Sequence, residues 1–323
     1  MASPNSTFTE IVTTTLREHK KSLADNVSNN NALWRRISEK GRIQVLDGGY
    51  EIVEPLDYAE NSTYQRYSGY DVLNVSASDV ISAAKFNWVQ SAVHVIASGL
   101  ELRQNAGKNQ IINLAKARIT NAMRTFANNL SSDLYSDGTT TNQMGGLQAV
   151  ISDAGTGTVG GINSGTYTFW KSTLQSAAAP LQGGGAITPS KSTIQSLMLP
   201  LYLELSRGND QPDLVVSSND YFTFYEESLT DIKRYTDVND ATGGFISLKY
   251  KNADVIFDGG SGIPAAHMYF VNSDFLKLVV HRDANMTEVS EKTSINQDAV
   301  VIPVIWQGNL TVSNRSLQGL VKA

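Results

Sequence analysis

The sequence has no cysteine among its 323 residues, which excludes disulfide bridges, thiolate metal sites and cysteine nucleophiles and fits a reducing compartment. It has no run of about 18 apolar residues that would cross a bilayer. Its opening, MASPNSTFTEIVTTT, lacks the charged-then-apolar order of a secretory signal. The expectation is a soluble, unsecreted chain with no membrane partner. The Asn-x-Ser/Thr triplets at Asn61, Asn74 and Asn309 then read as chance matches rather than glycosylation sites.

Catalytic signatures are missing as well. Neither GxxxxGKS/T nor GxGxxG occurs in a strand-turn-helix setting, and there is no Gly-x-Ser-x-Gly elbow. The four histidines, His19, His94, His267 and His281, are scattered without HExxH or other close ligand spacing, and read as packing or surface residues. Asp258 to Gly262 lacks the alternating acids and final Glu of a calcium loop and reads as a turn. Glu226 and Glu227 are adjacent on a helix and face different ways, which makes them a poor acid–base pair. No catalytic, cofactor-binding or metal-binding residue is nominated, and no cofactor or enzymatic activity is expected.

Excess positive charge is also absent. The net charge of -5 argues against a tight sequence-reading nucleic-acid binder. The distribution is uneven: Met1 to Arg42 carries seven Lys/Arg against four Asp/Glu, and Ile43 to Ala84 carries only Arg66 against seven acids. These segments are either solvated surface or arms that meet oppositely charged neighbours on other subunits, and charge alone leaves both open.

What is present is enough hydrophobic material, 41% of residues, for one large or two medium cores. From Asn109 to Tyr135, apolar residues recur at Ile111, Ala115, Ile119, Ala122, Met123, Phe126, Leu130 and Leu134. Steps of three and four predict one amphipathic helix of roughly 40 Å, with Gly138 as its stop. Lys108 and Asp133 oppose its dipole, so packing of the stripe has to stabilise it.

Ahead of it, the capping-box form of Thr7 to Glu10 predicts a first helix, and Ala32 to Lys40 a second short one. Ile43 to Leu46 and Tyr50 to Val53 around Asp47-Gly48-Gly49 predict a β-hairpin, marginal unless it rests on something else. Tyr58, Tyr64, Tyr67 and Tyr70 crowd a polar stretch, the composition of an interface or equally of plain packing. Val80 to Leu100 is expected to lead as strand and turn into the long helix.

Beyond Gly138 a Gly/Ser/Thr-rich region surrounds helices over Ser192 to Ser206 and Asp220 to Tyr235. Strands are expected at Leu214–Ser217, Phe245–Tyr250, Ala253–Phe257, His267–Asn272 and Leu276–His281. A last pair, Val300–Trp306 and Leu310–Val312, is expected around Gly308-Asn309. The class is α+β.

Several stretches in this order resemble the major capsid protein of tailed double-stranded DNA bacteriophages, the Hong Kong 97-type shell fold. They are AENSTYQRYSGYDVLNVS, GLELRQNAG before the long helix, PDLVVSSNDYFTFYEES, ADVIFDGGSG, and QDAVVIPVIWQGNLTVSNRSLQG at the end. The resemblance covers nearly the whole chain.

It implies an N-arm (1–40), an extended loop with a β-hairpin (41–78), a peripheral domain (79–138 and 282–323) holding the spine helix 109–135, and an axial domain (139–281). It further implies self-assembly as hexamers and pentamers into an icosahedral head around the phage genome, within the virion and formed in the bacterial host cytoplasm. Arm and loop, with little core of their own, are expected to become ordered over neighbouring copies.

The implied partners are other copies, a separate scaffolding protein because the arm starts almost at Met1, a portal, and a cement or decoration protein. Packaged DNA is expected to make weak, non-specific contact, with Lys116, Arg118 and Arg124 as candidate cations. No lysine lies between Gly41 and Ala84, so isopeptide cross-linking from the loop is not expected. The alternatives are an encapsulin-like nanocompartment shell and, in a different class, a monomeric hydrolase or carbohydrate-binding protein.

Overall fold

A computed structural model of the chain describes residues 32–104, 114–229, 247–258, 262–288, 292–293 and 297–323. The helix expected after Thr7, the first residues of the long helix, the last six residues of the helix expected over Asp220 to Tyr235 and the first two of the strand expected at Phe245–Tyr250 lie outside them.

Helix α1 (Ala32–Glu39) turns Ala32, Leu33 and Ile37 inward. Strand β1 (Ile43–Leu46) follows, then β2 (Ile52–Asp57), which buries Ile52, Glu54 and Leu56 and exposes the residues between them. Residues 58–80 form a long irregular loop that returns as β3 (Ile81–Phe86). Strand β4 (Val89–Ser98) and the short α2 (Gly99–Gln104) lead to the long helix α3 (Leu114–Asp133).

On α3 the expected stripe is the buried one: Ala122, Phe126 and Leu130 step by four into the core, and Leu134 and Tyr135 follow just past its end. The helix has no acid in its first turn and no base in its last. Burial of Phe126 and Leu130, about 2 kcal/mol each, therefore outweighs anything its termini contribute.

After α4 (Leu147–Val150) come the small hairpin β5 (Thr158–Val159) and β6 (Ile162–Asn163), β7 (Thr173–Ser176), α5 (Ile194–Glu204), β8 (Leu214–Ser217) and α6 (Asn219–Ser228). The chain continues through β9 (Ser247–Tyr250), β10 (Ala253–Phe257), β11 (His267–Val271), β12 (Leu276–Glu288), β13 (Lys292–Thr293), β14 (Ala299–Val312) and β15 (Gly319–Lys322).

Two sheets organise these elements. One has the order β1-β12-β14-β13, with β4 along β14; the other runs β7-β15-β11-β8-β10-β9. The second sheet separates two cores. Val215, Val255, Met268, Phe270 and Val321 face α5 and α6. Leu214, Val216, Ile256, Tyr269, Val271 and Leu320 face the core shared with α1, α3 and the first sheet. A sheet buried on both faces needs strands that are apolar throughout, and β8, Leu-Val-Val-Ser, is fully buried.

Two expectations are corrected. β1 and β2 do not form a hairpin around Gly48-Gly49: β1 pairs in parallel with β12, Ile43 opposite Leu278, and β2 pairs antiparallel with β3, Ile52 opposite Phe86. The local turn signal lost to two better ladders, an apolar sheet edge for β1 and a strand of matching alternation for β2.

Nor do Val300–Trp306 and Leu310–Val312 turn at Gly308-Asn309. They are one strand, β14, which pairs with β4 along 299–308 and with β12 along 304–306 and 308–312. Glycine is needed there for close approach instead. A Cβ at Gly308 would press on the Val279 carbonyl and lie 2.6 Å from Trp306 Cζ2.

Charge alone left the use of the basic and acidic segments open; among the described residues, several of these charges pair within the chain. Arg36 pairs with Asp254 at 2.6 Å, Lys40 with Asp213 at 3.2 Å, and Arg42 with Asp274. The acidic stretch likewise pairs inside the chain: Asp47 with Arg282, Glu51 with Lys85 and Glu54 with Lys277.

Gly308→Ala is expected to destabilise the chain by about 2 kcal/mol or more, since neither backbone carbonyl nor buried indole can give way. Urea denaturation with an unchanged midpoint would refute this.

Candidate assembly surfaces

The described residues contain no group of three His, Cys, Asp or Glu side chains that could hold a metal, and no helix long and apolar enough to cross a membrane. His267 sits between the Ala265 carbonyl (2.7 Å) and Asp153 (3.2 Å). His281 stacks edge-on against Trp88, and its Nδ1 accepts the Asp283 N–H. His94 is exposed on β4, and His19 lies outside the described residues. An open groove of about 1010 Å³ is lined by Asn87, Gln90, Thr139, Thr140 and Thr141 among others. The features that stand out are surfaces.

The first is the loop 58–80. Of the sixteen exposed large hydrophobic residues among those described, ten fall between Val45 and Ile81, with Val72 91% and Val75 92% exposed. The loop keeps its shape through short-range polar bonds, not packing. Gln65 bridges its two limbs, donating to the Val72 carbonyl (2.9 Å) and accepting from Asn74 N–H (3.2 Å). Asp71 accepts the Ser68 N–H at 2.8 Å.

Asn61 and Asn74, read as glycosylation look-alikes, accept from Thr63 and Ser76 two residues on, so the Asn-x-Ser/Thr spacing serves Asx turns. Of the four tyrosines, Tyr58 packs on Phe169 with ring centroids 5.8 Å apart, whereas Tyr64, Tyr67 and Tyr70 are exposed. A polar scaffold that holds apolar side chains out in water is the composition of a contact surface.

The second surface is occupied within the chain. Asp258, fully buried at the end of β10, accepts the Leu33 N–H (3.2 Å) and the Tyr135 hydroxyl (2.7 Å). Its carboxylate thus caps the N-terminus of α1 from another element and ties it to the end of α3. Burial, and then the Asp258 charge, push the Tyr135 hydroxyl well above the ordinary tyrosine range, so it stays a donor. Sequence reasoning took Asp258 for the start of a turn; no local pattern distinguishes an acid that caps a helix more than two hundred residues away. Residues 32–46 therefore have interior of their own, which corrects the expectation for the arm over that span.

Arg118, a candidate DNA contact on the long helix, bonds both oxygens of Glu101 (3.0 and 3.1 Å) and the Ile96 carbonyl (2.6 Å). Its guanidinium holds the Glu101 carboxyl below the usual range. It joins α3 to α2 and β4. A second buried cation, Arg315, donates to the Val150 and Trp170 carbonyls and to Ser152 and Ser164. Desolvation lowers its pKa to about 10, still charged at neutral pH.

No family model matches the sequence, and no curated protein matches it. Solved structures do. The cyanophage A-1(L) capsid subunit aligns with a TM-score of 0.67 at 15% identity, over 95% of this chain and 96% of that one. The capsid of the empty GTA particle aligns at 0.62 and 13%, over 94% of each. The holo-SrpI encapsulin of Synechococcus elongatus PCC 7942 aligns at 0.61 and 7%, over 98% and 95%. The fold is α+β of the Hong Kong 97 capsid type, over nearly the full length.

Asp258→Ala is expected to cost about 2–4 kcal/mol, because it orphans a buried hydroxyl and a helix N–H. Hydrogen exchange should then quicken across 32–39 before the β8–β11 sheet is affected. Uniform loss of protection over both would contradict the latch.

Proposed function

We propose that this chain is the major capsid protein of a tailed double-stranded DNA bacteriophage, assembling as hexamers and pentamers into the icosahedral head. The observation that carries the reading is the projecting loop 58–80, ordered by its own polar bonds and studded with uncovered apolar side chains, on a chain with the capsid shell fold. Covering Val72, Leu73, Val75 and the exposed tyrosines would contribute up to about 1.5–3 kcal/mol for each side chain buried. Repetition over a closed shell multiplies this. Its work is assembly rather than turnover.

On this reading residues 1–40 act as the N-arm, 41–78 as the extended loop, 79–138 and 282–323 as the peripheral domain and 139–281 as the axial domain, with 319–322 adding a strand to the axial sheet. The β2–β3 ribbon, not a 43–53 hairpin, carries the loop. Further partners are a separate scaffolding protein, the portal and a cement or decoration protein. Packaged DNA is contacted weakly, in keeping with a net charge of -5 and an Arg118 already engaged with Glu101. The place of action is the virion, after assembly in the bacterial host cytoplasm.

Electron microscopy of the expressed chain, alone and with its scaffold, tests this: closed shells are expected. A monomer by light scattering under every condition would overturn it, and particles packed with a cargo protein would favour the encapsulin reading. Replacing Val72, Leu73 and Val75 together by Ser should leave the unfolding midpoint nearly unchanged and abolish shells, because these side chains touch little in the single chain. Boiled shells should run on a denaturing gel as single chains, for want of lysine between Gly41 and Ala84.

A further inference from the structure

The ribbon that carries the loop belongs to neither large sheet; β2 and β3 pair only with each other. Its inclination therefore depends on what it leans against: besides the core packing of Ile52, Leu56, Ala84 and Phe86, polar contacts hold it on each strand. On the β2 side, Glu54, only 7% exposed, accepts from Thr311 (3.1 Å) and faces Lys277 at 3.6 Å, which holds the ribbon to β12 and β14. On the β3 side a backbone tether runs from Lys85 N–H to the Gly160 carbonyl, 2.9 Å, at the tip of the β5–β6 hairpin.

That hairpin turns through Gly160 (φ 58°) and Gly161 (φ 77°), the left-handed pair of a two-residue turn. A Cβ on Gly160 would come 2.7 Å from the Cβ of Ala84 and 3.2 Å from Phe86 Cζ, both on the inward face of β3. A Cβ on Gly161 would meet nothing within 4 Å. Below the turn stands a rigid pedestal. Buried Trp170 donates from Nε1 to the Val159 carbonyl (2.9 Å), and Arg315 in turn donates to the Trp170 carbonyl (3.2 Å).

We infer that the Gly160 turn is a mechanical stop: its bare backbone, backed by Trp170 and Arg315, sets the pitch of the β2–β3 ribbon and hence where the loop 58–80 is presented. Resting on the shell reading, the stop also governs the angle between neighbouring copies, and Gly160 is a positioning residue for assembly. Ala84 lies directly opposite Glu54 in the ribbon, so a displacement at Ala84 tilts the β3 edge about the Glu54 anchor on β2 and carries the loop with it. Glycine is required at 160 for two reasons, φ and space, whereas at 161 only φ applies, so the pair separates backbone strain from contact.

The test uses the full chain, whose lack of cysteine allows labels to be placed at will. Nitroxides on Ala77→Cys in the loop and Lys191→Cys, both exposed, report the ribbon's pitch in unassembled protein by double electron–electron resonance. Electron microscopy reports particle diameter. Gly161→Ala should lower thermal stability and keep the wild-type distance and diameter. Gly160→Ala should shift the mean distance beyond the spread between wild type and Gly161→Ala, and give particles of altered or mixed diameter. Adding Ala84→Gly to it removes the opposing methyl and should restore both.

If Gly160→Ala does not fold, Ala84→Gly alone decides: letting the ribbon settle on the turn should shift the distance, and a wild-type distance would overturn the stop. So would Gly160→Ala matching Gly161→Ala in both readouts. Should wild type form no particles, the shell reading falls while the label distance still rules on the stop.

Discussion

The buried carboxylate of Asp258 is where three parts of the chain converge: the start of α1, the end of α3 and the end of β10. A carboxylate in an apolar interior is tolerable only when donors surround it, and the groups that surround this one are a helix N-terminus and a tyrosine hydroxyl raised so far in pKa that it remains a donor. The geometry of that meeting brings Arg36 to Asp254, Lys40 to Asp213 and Arg42 to Asp274, and lays β1 along β12. One acid thereby sets the direction in which the chain sets out towards the ribbon.

From there the molecule divides its labour by what satisfies its backbone and side chains. The two sheets and three of the longer helices bury apolar faces in two cores separated by the β8–β11 sheet. The loop 58–80 does the opposite: its polar groups satisfy each other locally and its apolar groups are left outside. An order that owes nothing to packing suits a surface waiting for a partner. Such a loop arrives with its shape made, so that less conformational entropy is lost on contact.

The link between these regimes is the ribbon, half core and half projection. Its buried half, Ile52, Leu56, Ala84 and Phe86, belongs to the main core, yet no third strand holds it. Buried Arg315, bonded to carbonyls and hydroxyls, makes structural sense here. Four donor bonds to carbonyls and hydroxyls from 150–170 weld the segment bearing the β5–β6 turn to the chain's end.

Much of this was legible in order and type. The stripe of α3, strands β8 and β10 at their full bounds, α1, and the class α+β followed from periodicity and composition, because burial of one face leaves its period in the residues themselves. The tyrosine-rich stretch left interface and plain packing both open, and its tyrosines divide: Tyr58 packs, whereas Tyr64, Tyr67 and Tyr70 are exposed. What could not be read was partnership. Asp47-Gly48-Gly49 suggested a hairpin and Gly308-Asn309 a turn, yet the first links two sheets and the second lies inside one continuous strand. Asp258, Arg315 and Gly160 carried no local sign of their roles. Amino-acid order determined which segments are helix or strand and which faces are apolar, since those depend on neighbours three or four residues apart. Which strand pairs with which, and which acid caps which helix, only the tertiary structure decided, because those choices are made between residues up to 257 positions apart, such as Glu54 and Thr311, by competition for the same interior.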